Sequence, residues 1–151
     1  MKSTLYVSKF DEDLEVGHNA EHKVLKLLQT QYSSAVIIPG YCKEMDIYVP
    51  EKHKRYEVKQ DFKSEHTGNI VVEIGMYGKP SALMTSQADT WVFVTPNQYA
   101  FIERDRIKDC IIENNLQYKT FVGNGDTVAK DAYLIKKDLL FKYAYKIVNN
   151  D

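Results

Sequence analysis

The stretch GYCKEMDIYVPEKHKRYEVKQ, residues 40–60, holds two short runs of alternating apolar and polar residues on either side of a proline-containing turn. Strand side chains alternate between the two faces of a sheet. Met45, Ile47 and Val49 therefore share one face of the first run, and Asp46 and Tyr48 the other; in the second, Tyr56 and Val58 share one face and Glu57 and Lys59 the other. Glu57 and Lys59 point the same way, about 7 Å apart along the strand. Pro50, Glu51, Lys52 and His53 supply the turn, with a proline that cannot donate to a ladder. A hairpin symmetric about the bond between Glu51 and Lys52 pairs Val49 with Lys54 and sets Asp46 directly opposite Glu57. A bulge would shift that register by one residue. Opposed residues hold their Cβ atoms roughly 5 Å apart, so two carboxylates in these positions repel each other unless a cation lies between them.

Three charged side chains thus stand where a strand would ordinarily carry apolar ones, and the chemistry that wants this trio is metal-assisted hydrolysis of a phosphodiester. Carboxylate oxygens are hard ligands for Mg²⁺, which keeps several waters and is usually held by one or two protein carboxylates plus substrate phosphate. The ion polarises a phosphate oxygen and lowers the pKa of a bound water. Lys59 is placed to orient that water or to stabilise the extra negative charge of the transition state.

At these residues the chain resembles the PD-(D/E)XK nuclease superfamily. The resemblance rests on Asp46, on the step of eleven residues to Glu57, and on the E-x-K tripeptide Glu57-Val58-Lys59, preceded by a helix carrying Glu21. Met45 departs from the proline in the family's name. Residues 67–73, 78–81 and 88–91 also resemble small bacterial and phage members, so that the likeness covers about residues 13–96. It implies one restriction-endonuclease-like α/β domain over residues 1–151, three-layered, with a central mixed β-sheet flanked by helices. It further implies a Mg²⁺-dependent deoxyribonuclease, with Mn²⁺ as a substitute. Asp46, Glu57 and the backbone carbonyl of Val58 would hold the metal; Glu21, Asp46, Glu57 and Lys59 would form the catalytic set. Members include restriction enzymes, repair nucleases, exonucleases and junction resolvases. Small size tilts the expectation toward a structure-selective endonuclease acting on DNA as a homodimer, of phage origin. Two alternatives stand beside it: a nucleic-acid-binding or assembly protein that keeps the fold without cleaving, and a plain interaction domain in which Asp46, Glu57 and Lys59 form the solvent face of an exposed hairpin.

A hydrophobic fraction of 44% and a charged fraction of 27% are those of a globular protein with a sizeable core. The formal net charge of −1 gives no general basic footprint, so affinity for phosphate falls to local cations. Lys54 and Arg55, in the basic run Lys52-His53-Lys54-Arg55, with Gln60 and Lys63, are the expected DNA contacts. No run approaches the roughly 20 apolar residues that span a bilayer, and no cleavable leader is expected, which makes the cytoplasm of a bacterial or phage-infected cell the expected compartment. Cys42 and Cys110 form no C-x-x-C pair and are expected as free thiols, without zinc.

Before the hairpin, residues 1–10 read as a peripheral strand or tail, and residues 14–31 as a helix with Ala20, Val24, Leu27, Leu28 and Gln31 at a period of 3.6. Glu21 sits on the edge of that stripe with no cation three or four residues ahead. His18 and His22 lack the zinc-protease pattern. Residues 35–38 read as a buried strand. After the hairpin, residues 61–68 read as a loop, and residues 69–74 as a candidate third strand beside Glu57, with Glu73 favoured as solvated over pointing into the cleft. A short helix over 81–88 and the apolar run Trp91-Val92-Phe93-Val94 imply a crossover to a parallel strand buried on both faces. A strand over 99–103, a helix over 104–114, a turn at 123–126, a strand over 132–135, a helical turn over 136–140 and an aromatic-rich end complete the reading.

Overall fold

The computed structural model describes residues 9–39, 45–122 and 129–149, with side chains for 19–38, 46–122 and 129–149. The readings of residues 1–8, the His18 side chain, Cys42 and the 123–126 turn lie outside the described residues. In chain order the elements are α1 (Lys9–Gln29), β1 (Val36–Pro39), β2 (Met45–Val49), β3 (Lys54–Gln60), α2 (Ser64–Thr67), β4 (Asn69–Met76) and β5 (Lys79–Pro80). There follow β6 (Thr90–Val94), β7 (Gln98–Glu103), α3 (Arg104–Glu113), β8 (Lys119–Phe121), β9 (Lys130–Lys136), α4 (Lys137–Phe141) and β10 (Lys146–Asn149).

The hairpin has the symmetric register: Asp46 lies opposite Glu57, and Val49 opposite Lys54. A single 3-10 turn, Pro50–Lys52, joins the strands, and His53 closes it in the left-handed region at φ 52°. Around this hairpin the main sheet takes the order β1-β2-β3-β6-β7-β10. β3 and β6 are parallel, while the other neighbours are antiparallel. The chain is thus α/β with a mixed central sheet, and β6, buried at every residue, is its centre.

Alternation along β6 and β7 divides the core in two. Val92, Val94, Tyr99 and Phe101 face α1, where Ala20, Val24 and Leu28 recur every fourth residue and meet Ile47, Val49 and Tyr56. Each such aliphatic side chain, fully buried, contributes about 1.5–3 kcal/mol. Tyr56 is 3% exposed, and burial, with Tyr145 beside it, pushes its hydroxyl well above the ordinary tyrosine range. Trp91, Phe93, Ala100 and Ile102 face the other way, onto Ile70 and Val72 of β4, Ile135 of β9, Ile107, Cys110 and Ile111 of α3 and Leu140 of α4. Cys110 is a buried free thiol, and burial raises its pKa.

This second face corrects the expectation of a sheet flanked by helices. It is covered by a second antiparallel sheet, β5-β4-β9-β8, together with α3 and α4. β4 belongs to that sheet and is not the third strand beside Glu57; β6 takes that position. The expected crossover helix over 81–88 is reduced to a 3-10 turn, Ala82–Met84, because Ser81, the end of β5 and the tail of β4 already hold this segment against the second sheet. α1 ends at Gln29, so Gln31 is exposed rather than inward; Gln29 instead donates its side-chain amide to Ala35 O at 3.0 Å. No described helix is long and apolar enough to cross a membrane.

Candidate active site

On the face of the main sheet turned away from α1, Asp46, Glu57 and Trp91 lie side by side on β2, β3 and β6. The registers pair Asp46 with Glu57 and Glu57 with Trp91. Lys59 is two residues further along β3 on the same face. Its Nζ stands 3.0 Å from Glu57 Oε2 and 5.1 Å from the centre of the Trp91 ring, a cation over an aromatic face. Glu57 is only 7% exposed. A buried carboxylate needs partners, and Lys59 is one of them.

The neighbouring loop supplies another. Ser86 Oγ lies 3.1 Å from Glu57 Oε1, and accepts Trp91 Nε1–H at 3.0 Å and the Ala88 N–H at 3.2 Å. The loop is anchored from behind: Arg104 donates through Nη1 to Ser86 O and through its backbone N–H to Asp89 O at 3.0 Å. Asp89 in turn accepts the Arg55 N–H at 2.9 Å through Oδ2 and donates its own N–H to Arg55 O. Strand β3 and the loop that packs on it are therefore cross-tied at both the backbone and the side-chain level.

Between them opens a cleft of about 240 Å³ lined by Glu57, Lys59, Glu73, Thr85, Ser86 and Trp91, with Val71 and Ala82. Glu73, expected as a solvated residue, is a wall of this cleft. A bulge between Glu73 and Gly75 breaks the period of β4, and Ser81 Oγ donates to Glu73 Oε2 at 2.7 Å, with Lys130 Nζ 3.9 Å from Oε1. Val71, two residues earlier on the same face, lines the cleft as well, so the period of β4 holds through Glu73, and what a period-two reading could not supply is the sheet that β4 joins.

Asp46 stands beside this cleft with a partner of its own: Arg55 Nη2 donates to Asp46 Oδ2 at 2.7 Å, the two side chains being 38% and 13% exposed. Arg55, expected as a DNA contact, thus supplies the cation that two opposed carboxylates demand. Among the described residues the β2–β3 pairing ends at Asp46 and Glu57, while β3 continues beside β6 to Gln60. Val58 is consequently one residue past the end of the hairpin ladder, paired with Val92 on its other side.

The remaining expected residues are not gathered here. Glu21 is buried at 6% exposure on α1, the helix that packs on the opposite face of the sheet. Lys54 lines a separate cavity of about 140 Å³ with Asp89, Thr90, Glu103, Arg104 and Asp105. Gln60 and Lys63 lie toward the other end of β3, some 20 Å from Lys54 by strand rise, and Lys63 is exposed at the start of α2. Among the described residues no three His, Cys, Asp or Glu side chains converge as a metal cluster. Asp46 and Glu57 still fit a hard divalent cation, since Mg²⁺ commonly takes one or two protein carboxylates.

Ser86 and Trp91 were not picked out by sequence reasoning as site residues. The available signal was the tryptophan itself, because a buried indole N–H requires an acceptor and Ser86 is the nearest polar residue upstream that reaches back to it. No family model matches the chain, and no curated protein or solved structure matches it.

Proposed function

We propose that this protein is a Mg²⁺-dependent deoxyribonuclease of restriction-endonuclease-like architecture that hydrolyses phosphodiester bonds. The observation that carries the reading is the opposition of Asp46 to Glu57 on one sheet face, with Lys59 3.0 Å from Glu57, beside a cleft. The order of elements supports it: a helix, a three-stranded antiparallel meander, and a strand parallel to the one bearing the glutamate and lysine. Like charges facing each other across a ladder are destabilising; Arg55 and Lys59 offset that cost in this structure, and a divalent cation shared by the two acids would offset it in the same way.

In this reading Asp46 and Glu57 would hold the cation, together with the Val58 carbonyl. When bound, the ion supplies Lewis acidity at a phosphate oxygen and a lowered pKa for water. The chain's own residues do the rest. Glu57, fixed by Ser86 and Lys59, keeps its carboxylate in one orientation. Lys59 donates to the attacking water or to the phosphate oxygen on which charge accumulates. Water oxygen bonds to phosphorus, the bond from phosphorus to the leaving sugar oxygen breaks, and one strand end carries the phosphate while the other carries a hydroxyl. Arg55, paired with Asp46 in this structure, would contact the DNA backbone where a cation took its place on that carboxylate. Because a duplex or branched DNA has two strands to cut, a two-fold homodimer suits the activity, and a structure-selective, resolvase-like enzyme working in the cytoplasm is the form we favour.

One observation favours the second reading, a DNA-binding or assembly protein that does not cleave: both acids already have a protein cation, Arg55 for Asp46 and Lys59 for Glu57. The deciding experiment is cleavage of linear, nicked, single-stranded and four-way-junction DNA with Mg²⁺, Mn²⁺ or EDTA, by the native chain, Asp46→Ala and Lys59→Ala. Metal-dependent cutting is expected, abolished in Asp46→Ala and reduced about 10²–10³-fold in Lys59→Ala, the cost of losing one transition-state donor. Binding without cutting under every condition transfers the assignment to the second reading.

A further inference from the structure

The hydroxyl of Ser86 has little freedom. A serine oxygen carries one proton and two acceptor positions, and both acceptor positions are taken, by Trp91 Nε1–H at 3.0 Å and by the Ala88 N–H at 3.2 Å. Its proton is left to one recipient within reach, Glu57 Oε1 at 3.1 Å. An ionised carboxylate is an acceptor only, so this proton suits the charged form of Glu57 and sets the rotation of the carboxyl group about its own axis. The other oxygen is set by Lys59 at 3.0 Å, and Lys59 is itself seated over the Trp91 ring at 5.1 Å. Trp91 is therefore bound at both ends of one circuit, through its N–H to Ser86 and through its ring face to Lys59. At 1% exposure it has no room to move.

From this circuit we infer that Ser86 is a positioning residue: with Trp91 as its fixed support, it orients Glu57 so that the carboxylate is ready to ligate a divalent cation. The inference rests on the reading of Glu57 as a cation ligand and adds to it the group that aims the ligand. Groups that orient a metal ligand typically change affinity or activity by about 10–100-fold when removed, although they touch neither metal nor substrate.

Tryptophan occurs once in the chain, at position 91, so quenching of its emission by Mn²⁺ reads cation binding without any need for turnover. The full chain is titrated with Mn²⁺ alone, and Glu57→Gln serves as the site-specific control. A saturable quench is expected in the native protein and is lost in Glu57→Gln. In Ser86→Ala the apparent Mn²⁺ affinity falls about 10–100-fold, and Ser86→Thr, which returns a hydroxyl next to the open cleft, regains most of it. If Ser86→Ala does not fold, by circular dichroism, Ser86→Cys takes its place; it keeps an atom at the γ position but is only a weak donor, and its affinity must fall in the same direction. Native binding with unchanged affinity in the folded Ser86 variants overturns this inference and leaves the cation site standing. Absence of any saturable quench in the native chain overturns the cation site and the inference together.

Discussion

Arg55 is the residue on which the site's charge balance turns. Its guanidinium, 2.7 Å from Asp46, neutralises one of two carboxylates whose backbones are paired across the hairpin. A fully exposed pair would contribute little, but Asp46 is mostly covered, and a covered charge that loses its partner is penalised. Arg55→Ala is therefore expected to lower stability by about 1 kcal/mol in EDTA, a fall in Tm of about 2–4 °C for a chain of this size. In the proposed reading the arginine competes with the metal for Asp46, so added Mg²⁺ should raise the Tm of the variant more than that of the native chain. Thermal melts of both proteins with and without Mg²⁺ check this; equal increments would mean that Arg55 does not compete for the acid. The same residue shows what sequence could and could not supply. The alternation of β2 and β3, with a turn centred on Glu51 and Lys52, was enough to place Asp46 opposite Glu57. That Arg55 reaches diagonally to Asp46 is a matter of rotamer and neighbour, which periodicity does not encode.

At the level of elements, the strands that were legible are β1, β2, β3, β4, β6, β7 and β9, most of them with a buried face or two. The three that were missed, β5, β8 and β10, are exposed strands at sheet edges with little burial to impose a pattern. The pairing of β4 was illegible for another reason. Its partner β9 begins at Lys130, far along the chain, and an alternating strand carries no mark of which sheet it joins. That pairing brings the face of β4 that carries Val71 and Glu73 to the cleft. Gly75 sits where β4 is squeezed between β5 and β9: a Cβ there would lie 3.0 Å from Asp131 Oδ2 and 3.2 Å from the backbone oxygen of Lys79. The side chain of Asp131 can yield, but the backbone of β5 cannot without moving Ser81 and the loop behind it. Gly75→Val is accordingly expected to cost about 1–3 kcal/mol, the usual cost of overpacking. It would appear as a lower urea midpoint with unchanged slope. A midpoint equal to the native one would show that β5 is loosely held and that the Glu73 wall does not depend on it.

For the whole molecule the constraint is electrostatic. The formal net charge is −1, and two cations nearest the site are committed, Lys59 to Glu57 and Arg55 to Asp46, while Lys54 lines a cavity with Asp89, Glu103, Asp105 and Arg104. A protein so arranged neutralises few phosphates. Each phosphate contact contributes about −0.9 to the slope of log K against log salt on duplex DNA, so three contacts or fewer imply a slope no steeper than about −3. Such weak, shallow binding suits an enzyme that selects its substrate by shape at the cleft, rather than one that holds any duplex along a basic groove. The separate placements of the expected DNA contacts sharpen the test. Lys63, exposed at the start of α2, should reduce the slope by about 1 when replaced by alanine, whereas Lys54→Ala, removing a cation that shares its cavity with Asp89, Glu103 and Asp105, should leave it unchanged. Fluorescence anisotropy with a labelled duplex in EDTA, over a series of salt concentrations, gives all three slopes. A native slope near −6 would require a basic footprint built from residues other than these, and would move the nucleic-acid surface away from the cleft face of the sheet.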